Sequence, residues 1–163
     1  MGNTIELGVM SMSDDRPSGD PTESEALGAA RERRSELKHA MSDLELAAAG
    51  AAGDPAWIDA LREALAEVRA VFDAHVEEVE AADGLLAELV TEAPRLSNAV
   101  KRLNDEHPQL SKQIDACVAL LDDADPHQIR GEVLDLLVAL ARHRHSGADL
   151  VYEAYHVDIG GQS

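Results

Sequence analysis

The feature that most constrains this fold is a pair of long apolar stripes, each interrupted by a histidine. In the first stripe, residues three or four positions apart are Leu61, Leu65, Val68, Phe72, His75 and Val79. The second stripe runs through Leu96, Val100, Leu103, His107, Leu110, Ile114, Cys117 and Leu121. Steps of three and four residues are typical of one buried helix face. The sequence therefore predicts two long helices that each direct an imidazole at the core.

Composition points to the same class of fold. With one Trp, one Phe and two Tyr in 163 residues, Leu, Val and Ala must fill the interior, which favours helices over a sandwich or barrel. Four long helices are predicted over residues 22–49, 55–82, 91–121 and 126–156, with a short extra helix near residues 85–90. Because the connections are short, we expect an all-α, up-down-up-down antiparallel four-helix bundle. The predicted bundle occupies residues 21–160, after a disordered arm at 1–20 and before a tail at 161–163.

Charge and cysteine content exclude several classes of function. A net charge of −18 argues against binding to nucleic acid and to anionic membranes, because both require a cationic surface. The single cysteine, Cys117, allows no internal disulfide, so a cytoplasmic location is expected. No apolar run approaches the roughly 18 residues of a membrane span, and the first 20 residues do not read as a signal peptide. No hydrolase motif of the Gly-x-Ser-x-Gly or phosphate-loop type is visible.

His75 and His107 are the strongest candidate metal ligands. A buried neutral imidazole needs a partner for each ring nitrogen, and a metal supplies one while a carboxylate supplies the other. The alternative is two structural histidines bonded to the backbone or to each other. Glu78, three residues after His75, is the best-placed carboxylate on that side, although the acidic run 77–80 can equally be a solvated face.

The other candidates lie on the first and fourth long helices. On the fourth, the inner face is predicted to centre near Val133, Leu137, Leu140 and Val151. His143 and His145 then fall about a quarter turn to either side of that centre, and His145 has Asp149 four residues later, a spacing that places two ligands on one face. His39 lies opposite the predicted inner face of the first helix, so it is expected to be exposed.

This pattern resembles a known family. Inward histidines on helices 2, 3 and 4, with Glu106-His107 in the third, resemble the hemerythrin-like (HHE cation-binding) domains. The stretches Asp83-Gly84-Leu85-Leu86 and 149–155 look like those of an actinobacterial branch of that family. The resemblance covers about residues 32–160. It implies two non-haem irons bridged by carboxylates, with an open position for dioxygen, nitric oxide or peroxide.

Carried over to this sequence, the resemblance makes His75, His107 and either His143 or His145 ligands on the last three helices. The family's bridging glutamate on helix 2 falls on Val79. Other family ligands fall on Ser111 and Gly147, and the helix-1 histidine is His39 or is replaced by Met41. Glu78, Glu106 and Asp149 are the carboxylates that can substitute only if the helices rotate or if a kink at Pro108 shifts the register.

Two hypotheses follow from the sequence. The first is a hemerythrin-like, non-haem iron protein whose ligands come from His39, His75, Glu78, His107, His143, His145 and Asp149. The second is a metal-free bundle of the same kind that acts as an interaction or regulatory module. The sequence leaves the oligomeric state open.

Overall fold

The computed structural model describes residues 24–156, and this part of the chain is all helix and connecting turns. The helices are α1 (Glu25–Ala48), α2 (Pro55–Glu80), α3 (Leu85–Glu92), α4 (Ser97–Leu120) and α5 (Pro126–His156), with a 3₁₀ turn at Pro94–Leu96 before α4. The predicted all-α bundle with a short helix between its second and third long helices is confirmed. None of these helices is both long and apolar enough to cross a bilayer.

Side-chain caps fix where three helices begin. The Ser24 hydroxyl accepts a hydrogen bond from the amide of Leu27 at the start of α1, and Asp54 accepts one from Ala56 at the start of α2. Asp125 does the same ahead of α5. Each acceptor satisfies a backbone amide that the first helical turn leaves unpaired. The cap predicted near residues 20–22, the arm 1–20 and the tail 161–163 lie outside the described residues.

Contacts between α2 and α4 indicate that these two helices run in opposite directions. Arg62 forms an ion pair with Asp122 in the turn directly after α4, and Arg69, about two turns further along α2, donates a hydrogen bond to the Ser111 hydroxyl. The numbering rises along α2 while it falls along α4, as antiparallel neighbours require. This order agrees with the predicted up-down-up-down topology for these two helices.

The interior consists of two apolar clusters. The larger one, here the main core, is formed by α1, α2, α4 and α5, and its fully buried members include Leu65, Phe72, Ile114, Leu136 and Leu140. The smaller one lies beneath α3 and is called the α3 core; it includes Val79, Leu86, Leu89, Leu103 and Leu150. The three buried histidines of the described chain lie between these two clusters.

The inner face of α5 is rotated by part of a turn from the prediction. Its buried stripe is Val133, Leu136, Leu140 and His143, whereas Leu137 and Val151 are only half-buried. The predicted centre was wrong because Leu136 and Leu137 are equally apolar neighbours, so hydropathy does not distinguish which one faces inward. The rotation places His143 on the buried stripe.

Candidate metal centre

Three histidines from three helices converge at one level of the bundle. They are His75 on α2, His107 on α4 and His143 on α5, with 8%, 3% and 3% of their surface exposed. One ring nitrogen from each can be chosen so that all three atoms lie within 4.8 Å of one another. Each histidine continues the apolar stripe of its helix, and this register brings the three rings to the same place.

Two of the three imidazoles are held by carboxylates from a neighbouring helix. Nδ1 of His107 lies 2.6 Å from Oε1 of Glu80, and Nδ1 of His143 lies 2.7 Å from Oε2 of Glu106. The Nε2 atoms of His107 and His143 face each other at 3.1 Å. Both Nδ1 atoms therefore point outward at acids, and both Nε2 atoms point inward at a common position.

The protonation states of His107 and His143 leave two nitrogen lone pairs facing each other. An ionised carboxylate only accepts hydrogen bonds, so each Nδ1 must donate a proton to its glutamate. In a neutral ring the Nε2 atom then carries a lone pair and no hydrogen. Two lone pairs facing each other at 3.1 Å repel unless a cation lies between them. The cation is either a proton shared by the rings or a metal ion.

Burial disfavours the extra proton. The pKa of His143 is lowered because its burial penalises the charged form, although the hydrogen bond to Glu106 acts in the opposite direction. Zinc and similar metal ions bind neutral imidazole, whose second nitrogen typically donates to a carboxylate. The Glu80–His107 and Glu106–His143 pairs have this arrangement, so the residues present fit a metal ion.

His75 differs from the other two. Neither of its ring nitrogens has a hydrogen-bond partner within the described chain. Burial, followed by repulsion from His143, His107 and Arg34, lowers its pKa to about 3. A buried polar atom without a partner typically costs about 1–3 kcal/mol. The neutral ring therefore has a nitrogen available for coordination and no hydrogen bond to break.

The centre has one closed side and one open side. The ring of Phe72 closes it from the main core, with its centroid 6.0–6.5 Å from those of the three imidazoles. On the opposite side lies a cavity of about 30 Å³ that reaches the α3 core. Besides the three histidines, its walls are mostly aliphatic side chains, including Val79, Leu86, Leu89 and Leu103, together with Arg34, Arg144 and Gly147.

The remaining candidates lie elsewhere. His145 and Asp149 form an exposed pair 3.4 Å apart on the outer face of α5, and His39 is exposed on α1, as expected. Glu78 accepts a hydrogen bond from Nε of Arg33 at 2.6 Å. None of these four residues belongs to the histidine group found among residues 24–156.

Positions where the resemblance places further ligands have other roles. Val79 is buried in the α3 core, and the Ser111 hydroxyl accepts a hydrogen bond from Arg69. Gly147 lines the cavity, where a Cβ would meet Leu103 at an ordinary 3.8 Å. These three residues supply no ligand atom to the histidine group.

Sequence reasoning missed the role of two carboxylates and one arginine. Glu80 lies five residues after His75, a spacing that directs it away from that ring and to His107 on the next helix. Glu106 adjoins His107 but bonds His143 instead. Arg34 was not singled out at all. One feature of the sequence could have identified the two glutamates. Each lies next to an apolar stripe, on the side of its helix that faces the neighbouring helix.

Comparison with known proteins gives no relative from which a function could be transferred. No protein-family model matches the sequence, and no match was found among curated proteins or among solved structures. The functional argument therefore rests on the chemistry of the site.

Proposed function

We propose that this protein binds a single metal ion through His75, His107 and His143. The observation that carries the proposal is the 3.1 Å approach of the two Nε2 atoms while both Nδ1 atoms are held by glutamates. Imidazole nitrogens bound at about 2.0–2.1 Å in a tetrahedral site lie roughly 3.3 Å apart. The His107–His143 pair is thus already spaced for coordination, and His75 completes a three-histidine ligand set.

The ligand set supports one ion rather than two. Two ferric ions require carboxylate ligands to neutralise their charge, whereas Glu80 and Glu106 bind the outer nitrogens of the histidines. Three neutral imidazoles suit a divalent ion such as Fe²⁺, Zn²⁺ or Co²⁺. Iron is the first candidate because of the resemblance to hemerythrin-like domains, and we propose a non-haem ferrous centre.

The function proposed for the centre is binding of a small ligand at the ion. Three protein ligands leave a coordination position open, and the cavity on the side away from Phe72 provides the space for it. For iron, the resemblance implies dioxygen, nitric oxide or peroxide. The residues of this chain position the ion, exclude bulk water with Phe72 and the α3 core, and hold the histidine tautomers through Glu80 and Glu106.

The proposal is tested by metal content. Protein without a histidine tag is incubated anaerobically with ferrous iron and desalted, and metal per chain is measured for the wild type and the His75→Ala/His107→Ala double variant. The His39→Ala/His145→Ala variant is the matched control, because it removes two exposed histidines instead. We expect about one ion per chain in the wild type and control and none in the first variant. Equal iron in all three would overturn the proposal.

A metal-free interaction module remains the second candidate. The observation that favours it is a strip of exposed apolar side chains on α5, with Leu134 45% and Val138 53% exposed. It predicts that iron leaves the melting temperature unchanged, whereas an ion that binds only the folded state raises it.

A further inference from the structure

Helix α3 forms one wall of the cavity beside the histidine centre. Leu85, Leu86 and Leu89 on its inner face line the cavity together with the three histidines. On its outer face, Ala87 and Val90 are exposed to solvent. On this side, a single short helix therefore separates the cavity from water.

The attachment of α3 to the protein differs from that of the four long helices. All four long helices contribute residues to the main core, whereas α3 contributes none and packs only into the α3 core within residues 24–156. Helix α3 has eight residues and no side-chain cap at Gly84, and an isolated helix of this length is not stable in water. An outward movement of α3 would therefore expose part of the α3 core and leave the main core intact.

One carboxylate joins α3 to both α1 and α5. Oε1 of Glu88 accepts a hydrogen bond from the Ser24 hydroxyl at 2.6 Å and a second one from the Tyr155 hydroxyl. Ser24 caps the start of α1, and Tyr155 lies in the last turn of α5. Burial and the hydrogen bond to Glu88 raise the pKa of Tyr155, so its hydroxyl stays protonated as the donor. These three residues, here the Glu88 latch, connect three helices through one oxygen atom.

The Glu88 latch stabilises α3 in place but can be replaced by water. Hydrogen bonds to an ionised carboxylate contribute more to stability than hydrogen bonds between neutral groups. Ser24, Glu88 and Tyr155 are only half-buried, however, so water can reach the carboxylate when either donor leaves. Folded proteins open locally at segments of this kind, at a lower free energy than global unfolding requires.

We propose that α3 is a lid over the histidine centre and that the Glu88 latch controls how often this lid opens. The inference rests on the proposed metal site and adds how exchange between that site and solvent is regulated. All three histidines lie on long helices, so opening of α3 leaves their arrangement in place. The latch should therefore change the rates at which a metal ion enters and leaves, and not its equilibrium affinity.

The first measurement needs no metal. Amide hydrogen exchange is followed in tag-free, metal-free wild type, Glu88→Ala and Glu92→Ala; Glu92 is exposed on the same helix and provides the matched control. In Glu88→Ala the amides of α3 should exchange about tenfold faster, as expected for the loss of hydrogen bonds to a charged group, while those of α4 near Ile114 do not change. Tyr155→Phe removes one of the two donors and should give a smaller increase.

The second measurement uses Co²⁺, whose visible spectrum reports coordination by the histidines. Rapid mixing gives the rate of cobalt uptake, and transfer to excess chelator gives the rate of release. Both rates should rise about tenfold in Glu88→Ala, with the equilibrium affinity unchanged and Glu92→Ala like the wild type. Loss of a negative charge alone would slow the uptake of a cation. If Glu88→Ala does not fold, Tyr155→Phe carries both measurements.

Three results would overturn the inference. Unchanged exchange of the α3 amides in Glu88→Ala and Tyr155→Phe would show that the latch does not hold the helix. Faster α3 exchange with wild-type cobalt rates would show that α3 opens without controlling access, and would leave the metal site standing. A wild type that takes up no cobalt would overturn the proposed function, and α3 would then have no metal centre to cover.

Discussion

The histidine layer uses three of the four helices that form the main core, and the two regions differ in what completes them. In the main core, Leu65 of α2, Ile114 of α4 and Leu136 of α5 are each fully buried and need only one another. A few turns along the same stripes, the three imidazoles occupy equivalent positions. Two of them depend on glutamates from neighbouring helices, and the third has no partner.

Because of this difference, we expect the apolar residues of a stripe to determine folding stability and its histidine to determine ligand binding. Apolar packing is satisfied once the helices are in contact, because the hydrophobic effect does not depend on the direction of the contacting groups. A layer of imidazoles is complete only when every ring nitrogen is paired. The main core should therefore determine whether the chain folds, and the histidine layer should determine what it binds. The predictions below test this division.

Removing one of the three proposed histidine ligands should have the largest effect. Structural zinc sites with four ligands bind with about 10–16 kcal/mol, or about 2.5–4 kcal/mol per ligand, so loss of one ligand is expected to weaken metal affinity by roughly 100- to 1,000-fold. We predict this for His107→Ala in competition with a chelator. The exposed His39→Ala variant should match the wild type. A similar affinity for both variants would contradict the assignment of His107 as a ligand.

Equivalent positions of the two regions should respond in opposite ways in metal-free protein. Leu65→Ala should lower the free energy of unfolding by about 2–5 kcal/mol, because it leaves a cavity in the main core. His75→Leu should raise it by about 1 kcal/mol, because two unpaired buried nitrogens are replaced by an apolar side chain. Urea unfolding measures both. A large loss of stability in His75→Leu would show that the imidazole is well satisfied without metal.

The glutamates behind the histidines should tune metal affinity. Outer partners of metal-binding histidines typically contribute 10- to 100-fold to affinity, so Glu80→Gln and Glu106→Gln should each weaken binding by that amount. Glu78→Gln is the control, because Glu78 pairs with Arg33 instead. Chelator competition provides the comparison. A greater loss in Glu78→Gln would restore this residue as the ligand that the sequence suggested.

Acid should destabilise the metal-free histidine layer. Burial and nearby positive charge lower the pKa of His75 to about 3 in the folded protein, whereas an unfolded chain has a histidine pKa of about 6.5. Between these values the unfolded chain binds the extra proton, so stability is full above pH 6.5 and falls as the pH is lowered toward 3.

The expected loss from His75 is about 2 kcal/mol between pH 7 and pH 5, and the lowered pKa of His143 acts in the same direction. Urea unfolding of the wild type and His75→Leu at both pH values isolates the first contribution. Equal losses in the two proteins would indicate that His75 is not buried in its neutral form.

The smallest effect is expected from a helix position outside both regions. Gly131 lies on the exposed face of α5, and a Cβ there would meet nothing within 4 Å. Gly131→Ala should stabilise the fold by about 1 kcal/mol through helix propensity alone. Thermal melting should show the gain, and metal affinity should not change. A change in metal affinity would mean that the two properties are not separable.

The sequence predicts the fold better than the site because of how each is encoded. The periodic spacing of apolar residues and the capping residues of helices are local features of a sequence. The sequence alone therefore located the stripes containing His75 and His107 and the helix starts at Pro55 and Pro126. The ring partners come from other helices. Which helix Glu80 or Glu106 reaches depends on packing angles that no local pattern contains.

His143 is a residue whose burial could not be predicted from local sequence features. The sequence left His143 and His145 as equal candidates, since both flank the predicted inner face of α5. Packing of Leu136 rather than Leu137 into the main core turned the helix and buried His143, leaving His145 exposed. A rotation of part of a turn therefore selects the third candidate ligand.

The most direct test of the proposed centre is the X-ray absorption spectrum of the iron-loaded, tag-free protein. We predict one iron surrounded by three imidazole nitrogens at about 2.0–2.2 Å, with no second metal nearby. Scattering without an imidazole contribution would contradict the three-histidine site. A second iron at roughly 3.5–4 Å would contradict the single-ion centre.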